Sequence, residues 1–225
     1  MMQRRMLVIA AASLAAGCTA RAPLADAAST ANPDSDAPEP GRIPMALADA
    51  PASYAEALQR WKGAAEVNTW IGARFEYDLQ RAMQLSETQR SRSGRMPIHA
   101  PAAFFANPRG VCVDLARFAV ETLRAVDPAS RPGYVMIEFN PVAIRGNTLR
   151  RHWVASFQRD GQTWFFADSK RPGHMAGPYA DTEAFMAGYA QYRGREIVAF
   201  KEIDSYERKL RSASSAKDRE PSALQ

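Results

Sequence analysis

Three residues of this chain have the types and the order needed for covalent chemistry: Cys112, His152 and Asp168. Cys112 sits in Gly-Val-Cys-Val-Asp-Leu-Ala, Gly110 to Ala116, where a helix is expected to begin. His152 opens a His-Trp-Val run and Asp168 closes a Trp-Phe-Phe-Ala-Asp run, both with strand composition. The thiolate is the nucleophilic form of cysteine. Unpaired N–H groups and the dipole at a helix N-terminus favour that anion, and a neighbouring imidazolium lowers the thiol pKa further. An aspartate on the other ring nitrogen fixes the tautomer and stabilises the charged ring. The backbone N–H of Cys112 is a natural donor to a developing oxyanion. Asn68, Trp70 and Tyr77 are the candidates for a second donor, and Gly110 would let a substrate backbone approach closely.

The chain has two cysteines. The other, Cys18, ends what reads as an export signal: Arg4 and Arg5, an apolar run from Met6 to Ala16, then Leu-Ala-Ala-Gly-Cys. That run is too short to span a bilayer comfortably. The pattern resembles a bacterial lipoprotein signal in which Cys18 is lipidated, although the large aliphatic residue stands one place further from the cysteine than is usual. The alternative is an ordinary secretory signal cleaved a few residues later. Either way the domain is expected outside the cytoplasm, in the cell envelope, facing the periplasm or the cell surface. Cys112 then has no disulfide partner in the mature chain.

Residues 1–18 are thus the signal, and residues 19–50, rich in Ala, Pro, Asp and Ser, read as a flexible tether. Residues 51–211 are expected to form one domain, and residues 212–225 a polar, unpatterned tail. The net charge of +5 is mild and no basic stripe carries interleaved aromatics, which argues against nucleic acid as a partner. One free cysteine and three scattered histidines, without CxxC or HxxxH spacing, make no zinc site, so no metal or cofactor is expected. Nothing marks an oligomer interface.

The elements that must position the three residues follow from periodicity. Tyr54 to about Leu85 repeats apolar residues at helical spacing with a break, and polar residues from there to Gly94 suggest an exposed loop. Pro97, Pro101 and Pro108 argue against regular structure on the approach to the cysteine. From Cys112 to about Val126, Leu115, Phe118, Ala119, Thr122 and Leu123 line one helical face, and Asp127-Pro128 closes it. Tyr134 to Phe139 reads as a strand. Asn140 to Arg151 reads as a loop whose Arg145, Arg150 and Arg151 hint at an acidic substrate. His152 to Phe157 and Thr163 to Asp168 are strands, Asp181 to about Tyr192 a short helix, and Glu196 to Phe200 a last strand. Helices first and an antiparallel sheet second make an α+β protein.

The turn between the two site-bearing strands has consequences. Asp160-Gly161 as a two-residue loop pairs Arg159 with Gln162 and sends Asp168 to the face opposite His152. A three-residue loop pairs Gln158 with Gln162 and puts His152 directly across from Asp168, with Cβ atoms about 5 Å apart. A catalytic site therefore predicts the three-residue loop.

Gly110 to Ala116, His152-Trp153-Val154 and Trp164 to Asp168 together resemble the transglutaminase-like superfamily, whose bacterial members include envelope cysteine peptidases. Val67 to Trp70 and Phe75 to Tyr77, before a Pro-rich approach, resemble that bacterial branch as well. The resemblance implies a papain-like fold with the nucleophile helix packed on an antiparallel sheet. It also implies Cys112 as nucleophile, His152 as base and Asp168 as orienter. The bacterial branch carries acidic residues on both sides of its cysteine, linked to calcium; Val111 and Val113 stand there in this chain. The superfamily spans peptidases, amidases, transferases and members without catalysis, so the fold does not fix the reaction. The expected activity is a thiol hydrolase acting on a peptide or amide substrate of the envelope, through a thioester. Acyl transfer to an amine by the same triad and a non-catalytic binding or scaffold lipoprotein are the alternatives. A Cys112 that is buried and unreactive, or an Asp168 turned away from His152, would favour the scaffold.

Overall fold

The computed structural model describes residues 36–39, 42–93 and 96–207. Residues 1–18 with Cys18, expected to be a signal, and residues 212–225, expected to be a tail, lie outside the described residues. Helices α1 (Tyr54–Arg60) and α2 (Ala64–Arg74) are followed by a two-residue strand β1 (Glu76–Tyr77), then α3 (Leu79–Gln84), α4 (Glu87–Ser93) and α5 (Pro101–Ala106). Strand β2 (Arg109–Gly110) pairs with β1 and leads into α6 (Cys112–Val126). Then come β3 (Gly133–Ile144), β4 (Asn147–Arg159), β5 (Gln162–Phe166), β6 (Ala176–Tyr179), α7 (Thr182–Arg193) and β7 (Ile197–Ile203). The five long strands form one sheet in the order β6-β5-β4-β3-β7, every neighbouring pair antiparallel. The protein is α+β, with N-terminal helices and the Cys112 helix packed on this sheet.

Alternation along the strands divides the core between the two sheet faces. Tyr134, Ala155, Phe157 and Phe166 pack with α1, α2, α5 and α6 in one cluster. Val135, Ile137, Val154 and Phe165 pack with Phe185, Met186 and Tyr189 of α7 in the other. The stripe expected on α6 is the one it buries: Leu115, Phe118, Ala119, Thr122 and Leu123 are all inaccessible to solvent. Phe118 meets Trp70 at 4.7 Å and Phe104 at 5.3 Å between ring centroids. The start of α6 is held by Asp114, whose carboxylate accepts from the backbone N–H of Val111 at 3.1 Å. The same buried carboxylate takes two 2.7 Å bonds from Arg81 and one of 2.9 Å from the His99 backbone.

Several expectations differ from this structure. The polar stretch after Leu85 contains α4, and the Pro-rich approach contains α5, where Pro101 takes the first helical position and gives up no intrahelical bond. The expected loop 140–151 is the tip of a long hairpin: β3 runs to Ile144, Arg145-Gly146 makes a turn at φ 50° and 75°, and β4 begins at Asn147. β6 occupies what reads as loop after Lys170. Residues 36–39 and 42–45, expected within the tether, lie against the domain, with Asp36 only 6% exposed. No helix among the described residues is long and apolar enough to cross a membrane.

Candidate active site

Cys112 is the first residue of α6 and is 7% exposed. His152 lies in β4 beside Val154 on the α7 face and is fully buried, its ring 6.0 Å from Tyr189 and 6.4 Å from Phe139. Its Nε2 lies 3.0 Å from Asp168 Oδ1. That commits Nε2 to the carboxylate and leaves Nδ1 as the nitrogen for Cys112. The Cys112 sulfur, a ring nitrogen of His152 and a carboxylate oxygen of Asp36 all lie within 4.8 Å of one another.

The His152–Asp168 contact forms by a route other than the expected one. The turn is the two-residue loop: Arg159 pairs with Gln162 and Gln158 with Thr163, with Asp160 and Gly161 at φ 54° and 74°. Positive φ at both central residues is what a tight hairpin turn requires. In that register a regular strand would turn Asp168 away from His152. The strand ends instead at Phe166, and Ala167 adopts a left-handed conformation at φ 59° that swings Asp168 back to the imidazole. A non-glycine residue in this region is strained. Two further donors hold the carboxylate there. Tyr189 donates its hydroxyl to Oδ2 at 2.9 Å, and the Lys170 backbone N–H donates to Oδ1 at 2.9 Å.

Asp36, Tyr189 and Arg193 are absent from the sequence-based expectations. Arg193 donates to the Tyr189 hydroxyl at 2.8 Å and to Asp36 Oδ1 at 2.5 Å, and its side chain is 1% exposed. A signal for it existed. Phe185, Tyr189 and Arg193 recur at i, i+4 and i+8 of α7, so a charge stands on the helix's apolar stripe. Asp36 stands in a Pro- and Asp-rich run without periodicity and carries no such signal.

Asp36 Oδ1 lies 3.2 Å from His152 Nδ1, within ion-pair distance, although the ring N–H does not point at it as a hydrogen bond. Burial works against charge at every one of these groups, and pairing overcomes it at three. The His152 pKa stands well above its ordinary value, carried there by the Asp36 charge and the bond to Asp168. Asp168 is lowered to about 2 by its bond to His152 and the nearby cations, against its burial. Asp36 lies far below the carboxylate range, held by His152 and Arg193. Cys112 goes the other way. Burial raises its pKa, His152 and the Trp153 backbone pull it down, and Asp36 pushes it up again. Burial is the largest of these effects and leaves the thiol above its ordinary pKa, with Asp36 adding to it.

The other site candidates fall out differently. Trp70 belongs to the aromatic core, stacked on Phe105 at 4.8 Å. The Asn68 amide donates to the Gly173 carbonyl at 2.7 Å, joining α2 to the loop after β5. Tyr77, half-buried in β1, pairs with Gly110 in β2. A Cβ on Gly110 would come within 3.0 Å of Asp114 and Phe104, so that glycine serves close packing. Arg150 and Arg151 pair with Glu87 and Glu138 at 3.2 and 3.0 Å on the hairpin, and the cation beside His152 is Arg193. Thiolate, imidazole and carboxylate are all zinc ligand types. In this cluster the Arg193 guanidinium is bonded to Asp36 Oδ1.

No protein-family model matches the chain, and no curated protein matches it. Among solved structures, calcium-bound LapG from Legionella pneumophila is similar, at 18% identity over 68% of this chain and 73% of that one, with a TM-score of 0.33. What the fold and site define is an α+β protein with a buried cysteine, histidine and two aspartates gathered at the start of one helix.

Proposed function

We propose that this chain is a cysteine hydrolase that cleaves an amide or peptide bond through a thioester acyl-enzyme. Cys112 is the nucleophile, His152 Nδ1 takes and returns its proton, and Asp168 orients the ring. The observation that carries this reading is the 3.0 Å bond between His152 Nε2 and Asp168 Oδ1, which turns the remaining ring nitrogen to the thiol. In the reaction the thiolate attacks the carbonyl carbon and His152 protonates the leaving amine. Water deprotonated by the same nitrogen then hydrolyses the thioester and releases the acid. The transglutaminase-like pattern around Cys112, His152 and Asp168 supports the same roles. The signal-like sequence ending at Cys18 supports a lipid-anchored place in the cell envelope, with a peptide or amide-bearing substrate there. Burial of Cys112 speaks for a scaffold, but the strained approach of Asp168 to His152 has no use in one.

The test is capture of the acyl-enzyme. An activated ester should leave a hydroxylamine-sensitive acyl group on Cys112 in the Asp36→Asn chain, detected by peptide mass spectrometry. His152→Ala in that background should abolish it. Absence of the adduct from both the unsubstituted chain and Asp36→Asn would overturn the proposal.

A further inference from the structure

The His152 nitrogen that faces the thiol already has an anionic neighbour, and this neighbour belongs to the chain's own N-terminal segment. Asp36 is one end of a length of chain pinned to both halves of the fold. On the sheet half, Ser169 donates its hydroxyl to the Asp36 carbonyl at 2.9 Å, and the Glu39 N–H donates to the Lys170 carbonyl at 3.2 Å. Tyr192 of α7 donates to the Glu39 carboxylate at 2.6 Å. On the helical half, the Met45 N–H donates to the Gly72 carbonyl at 3.1 Å, and the Arg42 guanidinium donates to the carbonyls of Gly72 and Phe75. The Met45 side chain fills the seam between Gly72 and Gly173, where a Cβ on Gly72 would come within 2.9 Å of Gly173 Cα. Asp168 and Ser169 belong to the first half, and α2 packs with the cysteine helix in the second.

We infer that residues 36–39 and 42–45 form an autoinhibitory strap across the thiol site, in which the Asp36 carboxylate takes the place of the Cys112 thiolate beside His152. The inference rests on the proposed Cys112–His152 pair. Charge balance makes the two anions alternatives. With the strap in place, two carboxylates, Asp36 and Asp168, face two cations, His152 and Arg193, in a buried site. A thiolate added to that set would be an unmatched buried charge, which is strongly disfavoured. With Asp36 withdrawn, the thiolate restores neutrality, and the backbone grips at Lys170 and Gly72 become free for another extended chain. The strap therefore blocks ionisation of the nucleophile as well as access to it.

The experiment follows iodoacetamide alkylation of Cys112 in the full chain at neutral pH. It is read on the Cys112 peptide by mass spectrometry, so that Cys18 does not contribute. Asp36→Asn removes the competing charge. Arg42→Ala loosens the far anchor without touching the thiol site. Both should speed alkylation by about tenfold or more, the gain in thiolate that each unit of lowered thiol pKa brings. An unsubstituted chain that reacts as fast as the two variants would overturn the strap and leave the hydrolase standing. So would a thiol that stays unreactive in both. Acceleration in both variants with the pH profile of an ordinary thiol, unchanged by adding His152→Ala, would leave the segment a mere steric cover and overturn both the anion exchange at His152 and the catalytic pair.

Discussion

His152 sits between two carboxylates, and that position dictates how the site titrates. Its pKa is raised in the fold above the ordinary 6.5. Its contribution to stability is therefore complete below 6.5 and is lost as pH rises through the raised folded value. Asp168 has the opposite sense. Its contribution is present above the ordinary 3.8 and fades as pH falls toward about 2. A proton NMR titration should find His152 charged well past the pH at which His174, lowered by burial, has lost its proton. Asp36→Asn should bring the His152 midpoint down. A His152 that titrates at or below 6.5 in the unsubstituted chain would contradict the Asp36 contact.

At the scale of elements, the two ends of the site depend on two local devices. The first is Asp114, which ties α6 to α3 and to the His99 segment through one fully buried carboxylate. Asp114→Ala leaves Arg81, with a side chain only 11% exposed, facing an empty partner. Urea unfolding should register a loss of about 3–5 kcal/mol, as for other broken buried pairs. The second is the left-handed Ala167. Ala167→Val places a β-branched side chain at φ 59° and should cost about 1–3 kcal/mol, with detachment of Asp168 from His152 visible as a lowered His152 pKa. Ala167→Gly should leave the His152 titration where it is. These elements were unequally legible. The helix from Cys112 to Val126 could be read because its apolar stripe and Asp-Pro ending agree. The hairpin tip could not, because Asn147 to Arg151 are polar apart from Leu149 on a strand whose length comes from pairing with β3. The His–Asp contact was foreseen and its turn was not, since nothing in an alanine announces a positive φ.

Across the whole molecule, what escaped the sequence is what joins distant parts. The residues of the catalytic proposal lie within one stretch of chain, with helix and strand patterns to mark them. The groups that tune them arrive from α7 and from a low-complexity segment near the other end. Asp36 and Arg193 stand 157 positions apart, and Glu39 and Tyr192 stand 153 apart. Loop closure over such separations comes late, after local and hairpin contacts have formed. A chain made N-terminus first therefore releases Asp36 early but cannot seat it until Ser169, Lys170 and α7 exist. Pulse labelling during refolding should find the amides of β3 and β4 protected while Cys112 still reacts, with thiol protection following. The nascent protein would then pass through an interval in which its sheet is complete and its nucleophile uncovered. The last long-range contact to form sets how long that interval lasts.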